Sequence, residues 1–160
     1  QLFIDKLAYH FAKRIIVLTE LSKDYLAKHY GVNKNIITVI GHSIRVEDYK
    51  NISPERIQKL KTELDIKEGD YILGMVARLE DWKGHSYVIE ALKDLVPKYP
   101  NIKLLIFGSA GDYLQVIQKM VKEMNLENHV FYKGFVTDNI ALYKLFNIHV
   151  HVPINEIVET

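Results

Sequence analysis

The chain alternates between two hydrophobic rhythms. Short apolar runs occur at residues 14–19 (RIIVLT), 36–40 (IITVI), 71–77 (YILGMVA), 103–107 (KLLIF), 129–132 (HVFY) and 148–152 (IHVHV). Runs of this length, several of them rich in β-branched residues, predict strands, and 14–19 and 103–107 read as buried ones. Between the runs, apolar residues recur every three or four positions, the spacing of one helix face. Phe3, Ile4, Leu7, Ala8 and Phe11 predict a helix over 2–12. Leu21, Tyr25, Leu26 and His29 predict the inward face of a second helix, with the aromatic stripe Tyr25, His29 and Tyr30 read as packing. Ile57, Leu60 and Leu64 mark a third, and Tyr87, Val88, Ala91, Leu92 and Leu95 a fourth. Leu114, Ile117, Met120, Val121 and Met124 mark a fifth, and a sixth is expected from Asp138 through Leu145.

Turn and cap residues agree with these boundaries. Thr19 or Ser22 can cap the second helix and Gly31 can close it, while Ser53-Pro54 places a cap and a first-turn proline before the third. Residues 45–53 are polar without a clear period and read as a connector. Strands separated by helices of about ten residues predict parallel β-α-β units, hence an α/β fold with a Rossmann-like parallel sheet and flanking helices. Residues 71–153 supply only four strands, which is thin for a whole sheet. The chain also begins at Gln1 without Met and ends at Glu156-Ile157-Val158-Glu159-Thr160 without a polar tail, so a piece of a longer protein is expected.

Composition narrows the function. A net charge of +1, with Lys and Arg scattered among Asp and Glu, gives no footprint for nucleic acid. The absence of Cys removes disulfides, thiol nucleophiles and thiolate metal sites, and fits a reducing cytoplasm. No apolar run approaches the roughly 20 residues that cross a bilayer, and there is no secretory signal pattern or basic amphipathic helix.

In an open α/β sheet, ligands bind beyond the carboxyl ends of the strands. Those ends carry Arg78, Lys83 and Gly84, then Gly108, then Gly134, Phe135 and Val136, then Pro153 onward to Glu159. Arg78 and Lys83 bracket a strand-to-helix loop, and a helix N-terminus offers unpaired N–H groups and a partial positive charge to phosphate. Arg provides a flat fork for two oxygens and Lys a mobile point charge. Taken singly, each is also what a solvated surface charge or an ordinary turn glycine looks like. The dinucleotide fingerprint GxGxxG is missing at 108–113 (GSAGDY), and no Walker loop occurs. His149 and His151 share a strand face but lack a third metal ligand at a supporting spacing, so packed or half-buried histidines are expected. Trp82 could stack on a base or cap the neighbouring core.

Together the blocks resemble a family 4 glycosyltransferase of the GT-B fold (glycosyltransferase group 1). RIIVLTELSKDYLAKHYGV and IITVIGHSI resemble the end of that family's N-terminal, acceptor-side domain and its crossing to the second domain. ARLEDWKGHSYVIEALKDL, KLLIFGSAGD, HVFYKGFV and IHVHVP resemble four successive blocks of the C-terminal, donor-binding domain. The resemblance implies residues 1–45 as the tail of the first domain and 46–160 as most of the second, incomplete at its C-terminus. It implies a retaining, metal-independent hexosyl transfer from a nucleoside-diphosphate sugar, UDP- or GDP-linked, to a glycan or lipid-linked acceptor, with no cofactor. Arg78 and Lys83 match the pair that neutralises the departing diphosphate. Gly134, Phe135 and Val136 match the strand end whose backbone recognises the base. Glu159 matches the first glutamate of an E-x7-E motif that lies against the donor sugar. Gly84, Gly108 and Pro153 complete the donor-side set. A cytoplasmic protein is implied, with peripheral attachment at the inner membrane face left open. Departures include His42-Ser43-Ile44-Arg45 at the interdomain linker and Gly108-Ser109-Ala110-Gly111 in place of Gly-x-Gly. The alternatives are a non-catalytic nucleotide-binding α/β module and a GT-B epimerase or phosphorylase. By itself, this segment is expected to bind nucleotide weakly and to catalyse nothing.

Overall fold

A computed structural model describes residues 2–154. Among them the chain divides after Arg45 into two compact units.

The smaller unit holds α1 (Leu2–Phe11), β1 (Ile15–Val17), α2 (Glu20–Tyr30), a 3-10 turn at Lys34–Ile36 and β2 (Ile37–Val39). Strands β1 and β2 pair in parallel, Ile15 opposite Ile37 and Val17 opposite Val39. Thr19 caps α2 by accepting from the Ser22 N–H at 3.0 Å, and Gly31 closes the helix in the left-handed region at φ 70°. Leu26, Val32 and Ile37 form its small core. Two expectations fail here. Ile16 is 66% exposed in the strand read as buried, and on the helix face read as inward Leu21 is 56% exposed and His29 is exposed as well. A two-stranded sheet with its core on one side leaves alternate strand residues uncovered, which neither periodicity reveals.

The larger unit runs from α3 (Val46–Lys50) through α4 (Pro54–Glu63), β3 (Tyr71–Val76) and a 3-10 turn at Asp81–Lys83 to α5 (His85–Leu95). It continues with β4 (Ile102–Phe107), α6 (Tyr113–Glu123), β5 (Val130–Gly134), α7 (Asn139–Leu145) and β6 (Ile148–His149). The sheet is wholly parallel in the order β5-β4-β3-β6. Helix α3 occupies part of the stretch read as a connector. The last strand is two residues long, not the expected five.

Period-two alternation sorts the sheet's side chains onto two cores. Leu73, Met75, Leu104 and Ile106 pack with Val88, Ile89 and Leu92 of α5 and Ile117 and Val121 of α6. Ile72, Leu105 and Phe107 pack with Leu60 and Leu64 at the end of α4 and Ala141, Leu142 and Leu145 of α7. Both faces are therefore covered, as an all-parallel sheet requires. Ser53 caps α4 by accepting from the Arg56 N–H at 3.3 Å, with Pro54 in the first turn.

The Phe146 ring lies directly over Gly74 in the central strand; a Cβ on Gly74 would stand 2.2 Å from that ring. Gly74→Ala should displace Phe146 and cost about 1–3 kcal/mol of unfolding free energy, the usual penalty for overpacking. Denaturant melts measure it, and Phe146→Leu in the same chain should recover part of the loss.

Candidate functional site: the rim at the carboxyl ends of the strands

Parallel pairing brings every strand exit of the larger unit to one edge, and main-chain hydrogen bonds then join the exits to one another. The Ala77 N–H donates to the Phe107 carbonyl at 2.9 Å, and the Leu79 N–H to the Ser109 carbonyl at 3.0 Å. The Gly108 N–H donates to the Gly134 carbonyl at 2.9 Å, and the Tyr132 hydroxyl to the Gly108 carbonyl at 2.8 Å. On the other side the Ile154 N–H donates to the Trp82 carbonyl at 2.8 Å. The loop after β3 is thereby anchored both to the exit of β4 and to the segment beyond β6.

Two glycines make this closeness sterically feasible. Gly108 has φ 146°, and a Cβ there would stand 2.0 Å from the Ala77 carbonyl oxygen. Gly84 has φ 77°, and its Cβ would stand 2.0 Å from the Val152 carbonyl oxygen. Backbone, not a yielding side chain, occupies the space in both cases, and the dihedrals disfavour any L side chain. Gly84 ends the 3-10 turn and opens α5, so the first free N–H groups of the helix face the end of the Arg78–Gly84 loop.

Arg78 is exposed, and its Nη1 lies 3.0 Å from Glu80 Oε1. The Lys83 ammonium stands 3.8 Å from the centre of the Trp82 ring. Trp82 thus meets a cation in the loop, beyond the base-stacking and core-capping roles read from sequence. Gly134 ends β5 at φ 71°, and the Phe135 side chain is 78% exposed beside it. Val136 is half-buried and packs against the core that holds α7. Pro153, also half-buried, follows β6 on the Trp82 side of the rim. Glu159 lies outside the described residues. The predicted residues from Arg78 to Pro153 therefore share one edge of one sheet.

Three neighbours carry weak or no signal in the sequence. His85, first residue of α5, is fully buried, and neither ring nitrogen has a hydrogen-bond partner. Burial drives its pKa below the ordinary value; the Glu80 main chain opposes this at a geometry too poor for a hydrogen bond, and the His151 and Lys83 charges add to the lowering. The imidazole is neutral at pH 7 and acts as packing under the loop. Glu80 was legible only as an opposite charge two residues from Arg78. Arg56 forms a two-pronged ion pair with Asp138, which also caps α7 by accepting from the Ala141 N–H at 3.0 Å. That pair ties α4 to the start of the helix that follows Gly134-Phe135-Val136.

His149 and His151 stack with ring centres 6.3 Å apart, but both are exposed, not packed or half-buried as expected, because the two-residue strand β6 lies at the edge of the sheet. Among the described residues, no group of three or more His, Cys, Asp or Glu is placed to hold a metal ion. An apolar groove of about 750 Å³ lined by Tyr71, Leu95, Tyr99, Ile102, Ile148 and Val150 sits at the amino ends of the strands, away from the rim's cations. No helix among the described residues is long and apolar enough to cross a membrane.

The rim sets two cations at the turn between a parallel strand and its helix, in an α/β fold of the GT-B type. Residues 56–158 match the family described as glycosyl transferases group 1, and the chain belongs to that family. An uncharacterized glycosyltransferase of Methanocaldococcus jannaschii is 27% identical over 145 residues, covering 91% of this chain and 35% of that protein. The alpha-monoglucosyldiacylglycerol synthase of Acholeplasma laidlawii is 26% identical over 66% of this chain and 27% of its own length. Among solved structures, Anabaena HepE in complex with UDP and glucose superposes with a TM-score of 0.83 at 26% identity, over 95% of this chain and 41% of HepE. The chain thus spans about a quarter to two fifths of the length of these three proteins.

The Arg56–Asp138 pair makes a pH prediction. The Arg56 hydrogen bonds hold the Asp138 carboxyl below the ordinary aspartate value, against a smaller opposing effect of burial. A depressed carboxyl pKa contributes stability that is complete above the unfolded value, about 3.9, and is lost as pH falls through the folded one. Asp138→Asn should therefore melt below the parent at pH 7, with the gap closing as pH drops below about 4. A gap constant from pH 7 to pH 2 in thermal melts would count against the pair.

Proposed function

We propose that the larger unit is the donor half of a retaining, metal-independent glycosyltransferase. The enzyme moves a hexose from a nucleoside-diphosphate sugar to a hydroxyl of a glycan or lipid-linked acceptor. The observation that carries this reading is the placement of Arg78 and Lys83 at the two ends of the turn between β3 and α5, beside the helix amides. A diphosphate seated there meets a planar guanidinium fork, an ammonium and the positive end of a helix dipole. The similarity to HepE, which was crystallised with UDP and with UDP-glucose, supports a nucleotide-sugar donor.

In the reaction so read, the bond between the sugar's anomeric carbon and the β-phosphate oxygen breaks while the acceptor oxygen bonds to that carbon. The acceptor proton passes to the departing phosphate, so no protein base is needed. Charge builds on the diphosphate as it leaves, and Arg78, Lys83 and the amides of α5 stabilise it in place of a divalent ion. The backbone at Gly134, Phe135 and Val136 is assigned to the base, Gly84, Gly108 and Pro153 to the walls of the donor site, and Glu159 to the donor sugar. Residues 1–45 are assigned to the acceptor-side domain.

Lys83→Ala in the full-length protein should lower the rate constant of transfer by on the order of 100-fold or more, the cost of deleting one preorganised charge in such a site. Product-release assays with UDP- and GDP-sugars measure it. Turnover equal to the parent's would remove Lys83 from the mechanism. Gly84→Ala tests the scaffold independently: the strained φ and the Val152 carbonyl should cost at least about 1 kcal/mol of stability and lower activity with it. Unchanged melting would show that the close approach carries no weight.

A further inference from the structure

Each cation of the loop meets a neighbouring side chain of the loop, and the two contacts differ in kind. Arg78 faces a carboxylate: Glu80 stands at the position preceding the 3-10 turn, where its side chain makes no capping bond, and reaches Arg78 at 3.0 Å. The backbone enforces this proximity, because the Glu80 N–H donates to the Arg78 carbonyl at 3.0 Å and the Lys83 N–H to the Glu80 carbonyl at 3.1 Å. Among the contacts of Lys83, its ammonium stands over the face of Trp82, whose carbonyl is pinned by the Ile154 N–H.

These contacts differ in what they cost an incoming anion. A carboxylate competes for the guanidinium N–H donors and repels phosphate. An aromatic face attracts an ammonium through the ring quadrupole and takes up no hydrogen-bond donor, so ring and phosphate can share one cation. Resting on a ring also limits the rotamers of a long side chain, which reduces what ordering it on binding costs.

We infer that Glu80 is a built-in competitor that holds Arg78 until a diphosphate displaces it, and that Trp82 is a positioning residue that keeps Lys83 aimed at the same diphosphate. The inference rests on the reading of Arg78 and Lys83 as a diphosphate site and goes beyond it. Neutralising Glu80 and removing the Trp82 ring act on donor affinity with opposite signs. Arg78 and Glu80 are 63% and 33% exposed, so the competition is screened and its effect modest.

Titration calorimetry of the full-length protein with UDP, GDP and ADP tests it, using the nucleotide that binds best and its nucleoside as the phosphate-free control. Glu80→Gln should tighten the diphosphate about 2–5-fold at low salt, with the gain fading near 0.5 M salt. Trp82→Leu should weaken it about 2–5-fold, and Trp82→Phe, which keeps a ring face, should recover most of the loss. Neither change should alter binding of the nucleoside. Double-mutant cycles separate positioning from packing: the Glu80→Gln gain should vanish in an Arg78→Ala background, and the Trp82→Leu loss in a Lys83→Ala background. Weaker or unchanged binding in Glu80→Gln, or an equal Trp82→Leu loss with and without Lys83, overturns the inference. If Arg78→Ala and Lys83→Ala still weaken nucleotide binding, the diphosphate reading survives that result. If the folded parent binds none of the three nucleotides, the diphosphate reading fails and the inference fails with it.

Discussion

Strand β3 is hydrogen-bonded to a parallel neighbour on each side, to β4 over its whole length and to β6 near its middle. The position of the Arg78–Gly84 loop depends on that pairing. Parallel register sends β3, β4 and β5 out of the sheet at the same edge, and the ladder bonds continue past their ends into Ala77, Leu79 and Gly108. The loop is therefore held as an extension of the sheet. The proposed diphosphate site gains from such support, because cations already in position lose little entropy and require little reorganisation when charge appears.

Both faces of the sheet contribute to the rim. On one, α5 and α6 close over Leu73, Met75, Leu104 and Ile106, which sets the direction in which α5 leaves Gly84. Fully buried His85 lies at that junction, held neutral, so its imidazole adds bulk under the loop without adding charge beside Lys83. On the other face, α4 and α7 cover Ile72, Leu105 and Phe107, and the Arg56–Asp138 pair fastens the first turn of α7 immediately after Gly134-Phe135-Val136. Loops at opposite ends of the rim are thus positioned by different cores.

Burial and charge are separated at this edge. Arg78 and Phe135 are exposed, whereas Leu79, Gly84 and His85 between and behind them are buried. The loop keeps its apolar residues as anchors in the sheet's core and presents its polar residues outward. The Glu80 and Trp82 contacts lie on the half-buried part of this loop, where each meets one of its cations.

Much of the architecture is legible in the order of residues. The switch between period two and period 3.6 locates β3 to β5 and most helices, and Thr19, Ser53 and Asp138 announce helix starts that the structure confirms as caps. Arg78, Lys83 and the glycines at strand ends could be named because local pattern alone predicts parallel strands, and parallel strands share an exit edge. Partnership between distant residues could not be read in this way. The sequence offers no sign that Gly108 must admit the Ala77 carbonyl, that Gly84 must admit that of Val152, or that Arg56 meets Asp138. Each depends on strand order and on the angle at which a helix returns to the sheet. The exposure of Ile16 and Leu21 and the complete burial of His85 have the same origin: a side chain's environment is set by the number of layers packed against it, which is a property of the assembled fold. Local periodicity settled which residues could stand at the rim, and tertiary packing decided which of them touch, because contacts between residues far apart in sequence form only when the sheet and its helices close together.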